Sequence, residues 1–290
     1  MRPRSFEYYA PSSLREALNL LSTTEDAKIL AGGQSLITLM KLRLVAPTAL
    51  IDINGITELG YIRQESGMIA VGALTRHDQL AQEIIIQEKC PLLAEAASVI
   101  ADQQVRNRGT IGGSLAHADP TADLPTACVA LNASIITMNE SESRSLTSSD
   151  FFRDFFNTAL KEDEIIREVR IPIPPPKSGG AYAKLAKGHN DFALAAVASQ
   201  ISLGSDDLCK AINVVLGGID SKPIHATETE KLLVGQTIDE RLIRDVSLKA
   251  GDGLTPNPDF RATSELKLKM VRTLTEKTLR TAISRARGGI

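Results

Sequence analysis

TIGGSLAHADPTADLP, residues 110 to 125, and AGGQSL, residues 31 to 36, each set a glycine pair ahead of a serine. Glycine permits positive φ and lets peptide N–H groups approach a ligand without an intervening Cβ. Followed by a helix start, such a turn aims several amides and the positive end of a helix dipole at one point. Read as two strand-to-helix turns, the stretches make an anion site for a ligand with two linked phosphates, such as the pyrophosphate of a dinucleotide. Ser35, Thr110 and Ser114 add hydroxyl donors. Taken alone, either turn is usually just a tight connection. Neither is a Walker A loop, since no GlyLysSer/Thr follows, neither is a GxGxxG fingerprint, and no βαβ unit is read around them. A dinucleotide held here sits on another architecture.

Working outward, SSLREALNLL opens with a capping box from Ser13 to Glu16 and reads as an amphipathic helix. AKILA reads as a buried strand leading into GGQ, and SLITLMKLRL as the helix that follows. TALIDI and MIAVGAL read as strands, and LTRHDQLAQEII and CPLLAEAASVIA as helices. Beyond the second glycine pair, Asp119 reads as an N-cap with Pro120 at the first helical position of DPTADLPTACVAL. ASIITMN and EIIREVRIPI are strands. RIPIPPPKSGG, residues 170 to 180, is the clearest boundary, because consecutive prolines and two glycines fit neither a helix nor a central strand. It divides the chain into residues 1–175 and 176–290. The second part reads as a three-stranded sheet, AYAKLAK, FALAAVASQISL and LCKAINVVLGGI, followed by helices. With no strict βαβ alternation and no solenoid repeat, two α+β units are expected.

The bulk composition narrows the chemistry. The 290 residues are 43% hydrophobic and 23% charged, enough to bury a core, and the net charge of -2 suggests neither nucleic acid nor an anionic membrane as partner. The chain lacks an apolar run of membrane-spanning length, and MRPRSFEYYAPSS lacks the apolar stretch of a signal peptide. Three separated cysteines, Cys90, Cys128 and Cys209, do not make a disulfide framework, so a cytoplasmic protein is expected. CxxC is absent, and His77, His117, His189 and His225 show no metal-ligand spacing, so no metal site is expected in this chain. Redox work would need an organic cofactor.

AGGQSLITLMKLRL followed by VRNRGTIGGSLAHADPTADLP closely resembles the medium, FAD-binding subunit of molybdenum hydroxylases, the group of carbon monoxide dehydrogenase, quinoline oxidoreductase and xanthine dehydrogenase relatives. The resemblance continues through EIIREVRIPIP and YAKLAKGHNDFALAAVA, and more weakly to the C-terminus. It implies an FAD domain of the vanillyl-alcohol-oxidase (PCMH) type, then a smaller α+β domain of the CO dehydrogenase flavoprotein type. The family's first phosphate loop falls on Ala31, Gly32, Gly33, Gln34 and Ser35, with Leu36 just after, and its second on Thr110, Ile111, Gly112, Gly113 and Ser114. Its acidic cofactor contact falls on Asp123; a carboxylate also suits the first helical turn without a ligand, but its place beside the loop favours the ligand role. Ile100 matches a position packing near the flavin, and Ile166 and Lys184 match further cofactor contacts. By residue type alone the isoleucines read first as core, and the lysine, in an alternating strand, as a solvated face. His117 would bond the flavin or its own backbone; Arg106 and Arg108 would offset pyrophosphate, meet a partner or be solvated. Phe192 replaces the tyrosine that many relatives place over the isoalloxazine, which keeps a ring and drops a hydroxyl.

The resemblance implies an oxidoreductase relay. Two [2Fe–2S] clusters on a small subunit would pass electrons to FAD here, and a large molybdopterin subunit would hydroxylate the substrate, the whole forming a dimer of heterotrimers. No side chain of this chain is nominated as catalytic. The rival readings are a self-sufficient FAD oxidoreductase, which would need acid–base residues over the flavin, and a non-catalytic subunit that has lost its cofactor. Purines, N-heterocycles, aldehydes and carbon monoxide share this pattern, and so do several electron acceptors.

Overall fold

The computed structural model describes residues 2–188 and 190–289; His189, in the GHNDFA stretch, lies outside them. Three short strands, β1 (Glu7–Tyr9), β2 (Ala27–Leu30) and β3 (Ala49–Asp52), pair in parallel in the order β1-β3-β2. Parallel neighbours need crossovers, which here are α1 (Leu14–Thr23) and α2 (Leu36–Leu42), so, against expectation, the first glycine turn lies inside a βαβ unit, whose strands are too short to mark it in the sequence. Ser13 caps α1, its hydroxyl accepting the Glu16 N–H at 3.2 Å. The Glu16 carboxylate reaches past Ser13 to accept from the N–H of Ser12 at 2.9 Å, so the reciprocal half of the expected capping box is displaced by one residue. AKILA is only half-buried, because the far side of β2 faces the cavity described below.

The second sheet begins with β4 (Ile62–Glu65) and β5 (Met68–Gly72). A run of helices then leaves it: α3 (His77–Gln82), α4 (Ile84–Lys89), α5 (Pro91–Ser98), α6 (Gln103–Arg106), α7 (Ile111–His117) and α8 (Asp123–Ala130). The chain returns through β6 (Ser134–Met138), β7 (Ser143–Thr147), α9 (Ser148–Phe151), the hairpin β8 (Phe152–Asp154) and β9 (Asn157–Thr158), and β10 (Ile165–Pro172). The antiparallel order is β4-β5-β10-β6-β7.

Two helix expectations need correction. LTRHDQLAQEII is two helices, parted at Glu83 (ψ 121), and the break lets Ile86 of α4 reach the core. Asp119 caps a turn rather than a helix: its carboxylate accepts from the N–H and hydroxyl of Thr121 at 2.8 and 2.6 Å, and α8 starts four residues later.

The C-terminal part is an antiparallel sheet of β11 (Ser178–Leu185), β12 (Ala195–Leu203), β13 (Cys209–Gly217) and β14 (Ile224–His225), with α10 (Thr227–Leu233), α11 (Glu240–Ser247) and α12 (Ser264–Ala286). The expected three-stranded sheet therefore has a fourth strand, whose two residues pair with Val215 and Leu216 and are too few to show a period. The Arg285 guanidinium of α12 donates to the Gly180 carbonyl at 2.6 Å and to Glu95 of α5, whose other oxygen accepts from the Tyr182 N–H at 2.8 Å. One buried cluster continues from Ile69 and Val169 through Leu92 and Leu124 to Tyr182, Ala198 and Val215, joining the second sheet to the C-terminal one. The architecture is α+β.

Candidate functional site

At the end of β2 the chain turns through Ala31–Ser35 into α2. Gly33 has φ +74, a left-handed conformation that favours glycine. A Cβ on Gly32 would lie 2.8 Å from the Cα of Gly109 and nearer still to the carbonyl oxygen of Arg108. This first loop is therefore pressed against the segment that leads into the second glycine pair. The N–H groups of Gly32, Gly33, Gln34, Ser35 and Leu36 have no acceptor within the chain among the described residues. Neither does the hydroxyl of Ser35, which makes no cap bond to α2. These residues are half-buried, with Gln34 exposed, and donors left free at a loop and helix start can serve an anionic ligand.

The second glycine pair behaves differently. It is not a strand-to-helix turn: Gly112 and Gly113 lie in the first turn of α7, which Thr110 caps by accepting the Gly113 N–H at 3.1 Å. Ile111, Gly112 and Ser114 donate to the carbonyls of Thr75, Ala73 and Thr110 at 3.1, 2.9 and 3.0 Å. These amides are already used. What the glycines provide is room, since a Cβ on Gly112 would meet that of Ala73 at 2.6 Å.

Both stretches border one cavity of about 620 Å³. Ala31 to Leu36 line it from the first loop, and Thr110, Gly112, Gly113, Ser114 and His117 from α7 and its cap. Ile100, Asp123, Ile166, Lys184 and Phe192 complete the set nominated from sequence. Ile111 is the exception: it is fully buried in the core on the other face of α7.

Lys184 is not on a solvated face. Its side chain is 7% exposed, and its ammonium lies 3.1 Å from Asp123 and donates to the Asp191 carbonyl at 3.3 Å. Tyr182 donates its hydroxyl to the other Asp123 oxygen at 2.7 Å. Burial pushes the Asp123 carboxyl up, and the Lys184 charge and both hydrogen bonds oppose that shift. The group ties α8 to β11 and to the loop carrying Phe192, whose ring stays 55% exposed at the cavity's edge. His117 borders the cavity with its ring 5.1 Å from that of Phe156, and burial lowers its pKa.

Several residues at the site escaped sequence reasoning. His77 borders the cavity yet is 6% exposed, and its Nδ1 has no hydrogen-bond partner. Burial, helped by Arg76 and Arg106, pushes its pKa down to about 4, so the ring is neutral at pH 7. Gly109 makes way for it: a Cβ there would lie 2.6 Å from the imidazole Nε2. Arg106 donates to the carbonyls of Ile100 and Ala101, both at 2.9 Å, and so holds that turn instead of reaching a phosphate. Asn54 and Arg76 lie behind the first loop and hydrogen-bond to each other at 2.8 Å. No sequence motif marks them, because the segments meet only in the fold. The three cysteines are buried and free, with the thiols of Cys90 and Cys128 pushed up to about 12 by burial, which keeps them unreactive.

Residues 4–174 match the FAD binding domain in molybdopterin dehydrogenase, and residues 180–282 match the CO dehydrogenase flavoprotein C-terminal domain. The glyceraldehyde dehydrogenase medium chain of Sulfolobus acidocaldarius is 36% identical over 97% of this chain and 99% of its own length. Among solved structures, carbon monoxide dehydrogenase from Hydrogenophaga pseudoflava superimposes with a TM-score of 0.94 at 37% identity, covering 98% of this chain and 99% of that one. Quinoline 2-oxidoreductase from Pseudomonas putida 86 gives 0.93 at 33% identity, covering 99% of each. The chain belongs to the FAD-binding family of the molybdopterin dehydrogenases, the medium subunits of oxidoreductase complexes.

Proposed function

We propose that this chain is the FAD-carrying subunit of a molybdenum-containing hydroxylase or dehydrogenase, in which bound FAD takes electrons from [2Fe–2S] clusters on a small partner subunit and passes them to an external acceptor. A large partner subunit holds the molybdopterin cofactor and selects the substrate, and the three chains assemble as a dimer of heterotrimers in the cytoplasm. Residues 1–175 form the FAD-binding unit and 176–290 the unit that closes over it.

The observation that carries this reading is the row of free amides from Gly32 to Leu36 at the wall of a cavity of about 620 Å³, a size typical of small-molecule sites. The residues fit a dinucleotide. The first loop supplies N–H donors for a pyrophosphate, with the hydroxyls of Ser35 and Ser114 beside them. A Cβ at Gly32 would push the first loop off the segment leading into α7, and one at Gly112 would push α7 off Ala73. Ile100 and Ile166 offer apolar faces to a ring, and Lys184 and Asp123 offer a buried charged pair beside it. Phe192 covers the edge of the cavity and limits the access of water and of an acceptor. None of these side chains has to move a proton. Their work is binding, orientation and exclusion of solvent.

The test is reconstitution. The complex isolated from its host and stripped of flavin should take up one FAD per copy of this chain. Substituting Gly33 by alanine should abolish uptake while the chain stays folded. Failure of the unsubstituted complex to bind FAD would refute the reading.

A further inference from the structure

Why does the first loop present its amides, when a flexible glycine turn has many ways of hiding them? The answer lies behind it. The Nδ2 of Asn54 donates to the Ala31 carbonyl at 2.7 Å and to Asp52 at 2.6 Å, while its Oδ1 accepts from the Nη2 of Arg76 at 2.8 Å. That network fixes which way the amide points. The Nη1 of Arg76 donates to the carbonyl of Arg108, the same oxygen against which Gly32 packs. One planar guanidinium therefore holds, through Asn54, the carbonyl that opens the first loop, and directly the carbonyl of the segment touching it. In a trans peptide the C=O and the following N–H point in opposite directions. Drawing the Ala31 carbonyl back towards Asn54 turns the Gly32 N–H the other way. The Gln34 side chain does the same to the Gly32 carbonyl at 3.2 Å, and so turns the Gly33 N–H.

We infer that Arg76 and Asn54 form a brace that pre-orients the phosphate-binding amides of the first loop and sets its distance from the second glycine segment. They are positioning residues, and this assignment rests on the dinucleotide reading above. Neither borders the cavity, so the brace acts only through the loop. Arginine suits the task because its fork reaches two acceptors in one plane, which a lysine ammonium on a single flexible stem does not do.

The test uses the whole complex, stripped of flavin and titrated with FAD and with riboflavin, which has the isoalloxazine but no phosphate. Unsubstituted protein should prefer FAD. In Arg76→Gln the FAD affinity should fall by about tenfold or more, the loss expected of one hydrogen bond to a charged group, with riboflavin affinity unchanged. Arg76→Lys should recover part of the loss. Asn54→Ala removes no charge and leaves the Arg76–Arg108 bond in place, so it carries the test should the arginine variant fail to assemble; it too should weaken FAD selectively. Equal losses for both ligands, or no loss for either, would overturn the brace while leaving the FAD site standing. An unsubstituted complex with no preference for FAD over riboflavin would overturn both.

Discussion

Gly32 stands against Gly109 with no space for a side chain: a Cβ on the first would lie 2.8 Å from the Cα of the second. This contact joins two sequence segments more than seventy residues apart into one wall of the cavity. Gly32→Ala is expected to force them apart. Overpacking of this kind costs on the order of 1–3 kcal/mol, and the free amides would lose their alignment. Chemical denaturation of the flavin-free chain and the flavin-to-protein ratio of the purified complex should both fall.

Gly113→Ala is expected to act on the fold and not on the donors. Its Cβ would lie 2.9 Å from the Thr110 hydroxyl, the group that caps α7. Loss of a cap costs about 0.5–2 kcal/mol. The amides of the first loop are untouched, so folded Gly113→Ala protein should still bind FAD. Denaturation midpoints beside FAD titrations separate the two glycines.

His77 predicts an acid sensitivity. Its ring titrates near 6.5 when unfolded and at about 4 in the fold. Between those values the unfolded chain binds more protons, so stability falls as pH drops from 6.5 towards 4, by on the order of 3 kcal/mol in all. His77→Gln cannot be protonated and should lose this slope. The burial-resisting carboxylates Glu164 and Glu168, whose pKa values the nearby hydrogen bonds and arginines lower, titrate identically in both proteins and cancel in the difference. Melting temperatures of the two flavin-free proteins across pH 4–7 check it.

Asp123→Asn would leave the Lys184 ammonium buried without its carboxylate. Breaking a buried pair from one side costs about 3–5 kcal/mol. Lys184 also holds the Asp191 carbonyl, so the loop bearing Phe192 should loosen with it. Limited proteolysis should then cut near residues 186–193 faster than in the unsubstituted chain, alongside a lowered melting temperature.

The first loop was readable because AGGQSL and TIGGSL occur in this order and together resemble a known family; alone, AGGQS reads as a tight connection. The sequence misled at the second pair, since GlyGly in the first turn of a helix looks the same as GlyGly in a turn; only the packing of Ala73 against Gly112 distinguishes them. The strands that pattern reading passed over, β1, β4, β7, β8, β9 and β14, are all sheet edges. Edge strands are half-solvated and carry polar residues, as IRQE and SRSLT do, so they lack an apolar signature. By pattern alone Lys184 reads as a solvated face, because the carboxylate that makes it tolerable in the interior lies sixty-one residues away. Asn54, Arg76 and His77 had no signal at all: each gets its role from a neighbour brought in by the fold.

The most direct measurement is the visible absorption spectrum of the complex drawn from its host through a tag on this chain, before and after dithionite. A flavin spectrum with a broad iron–sulfur shoulder is expected, both bleaching on reduction. A colourless protein that also fails to take up added FAD would contradict the proposed function.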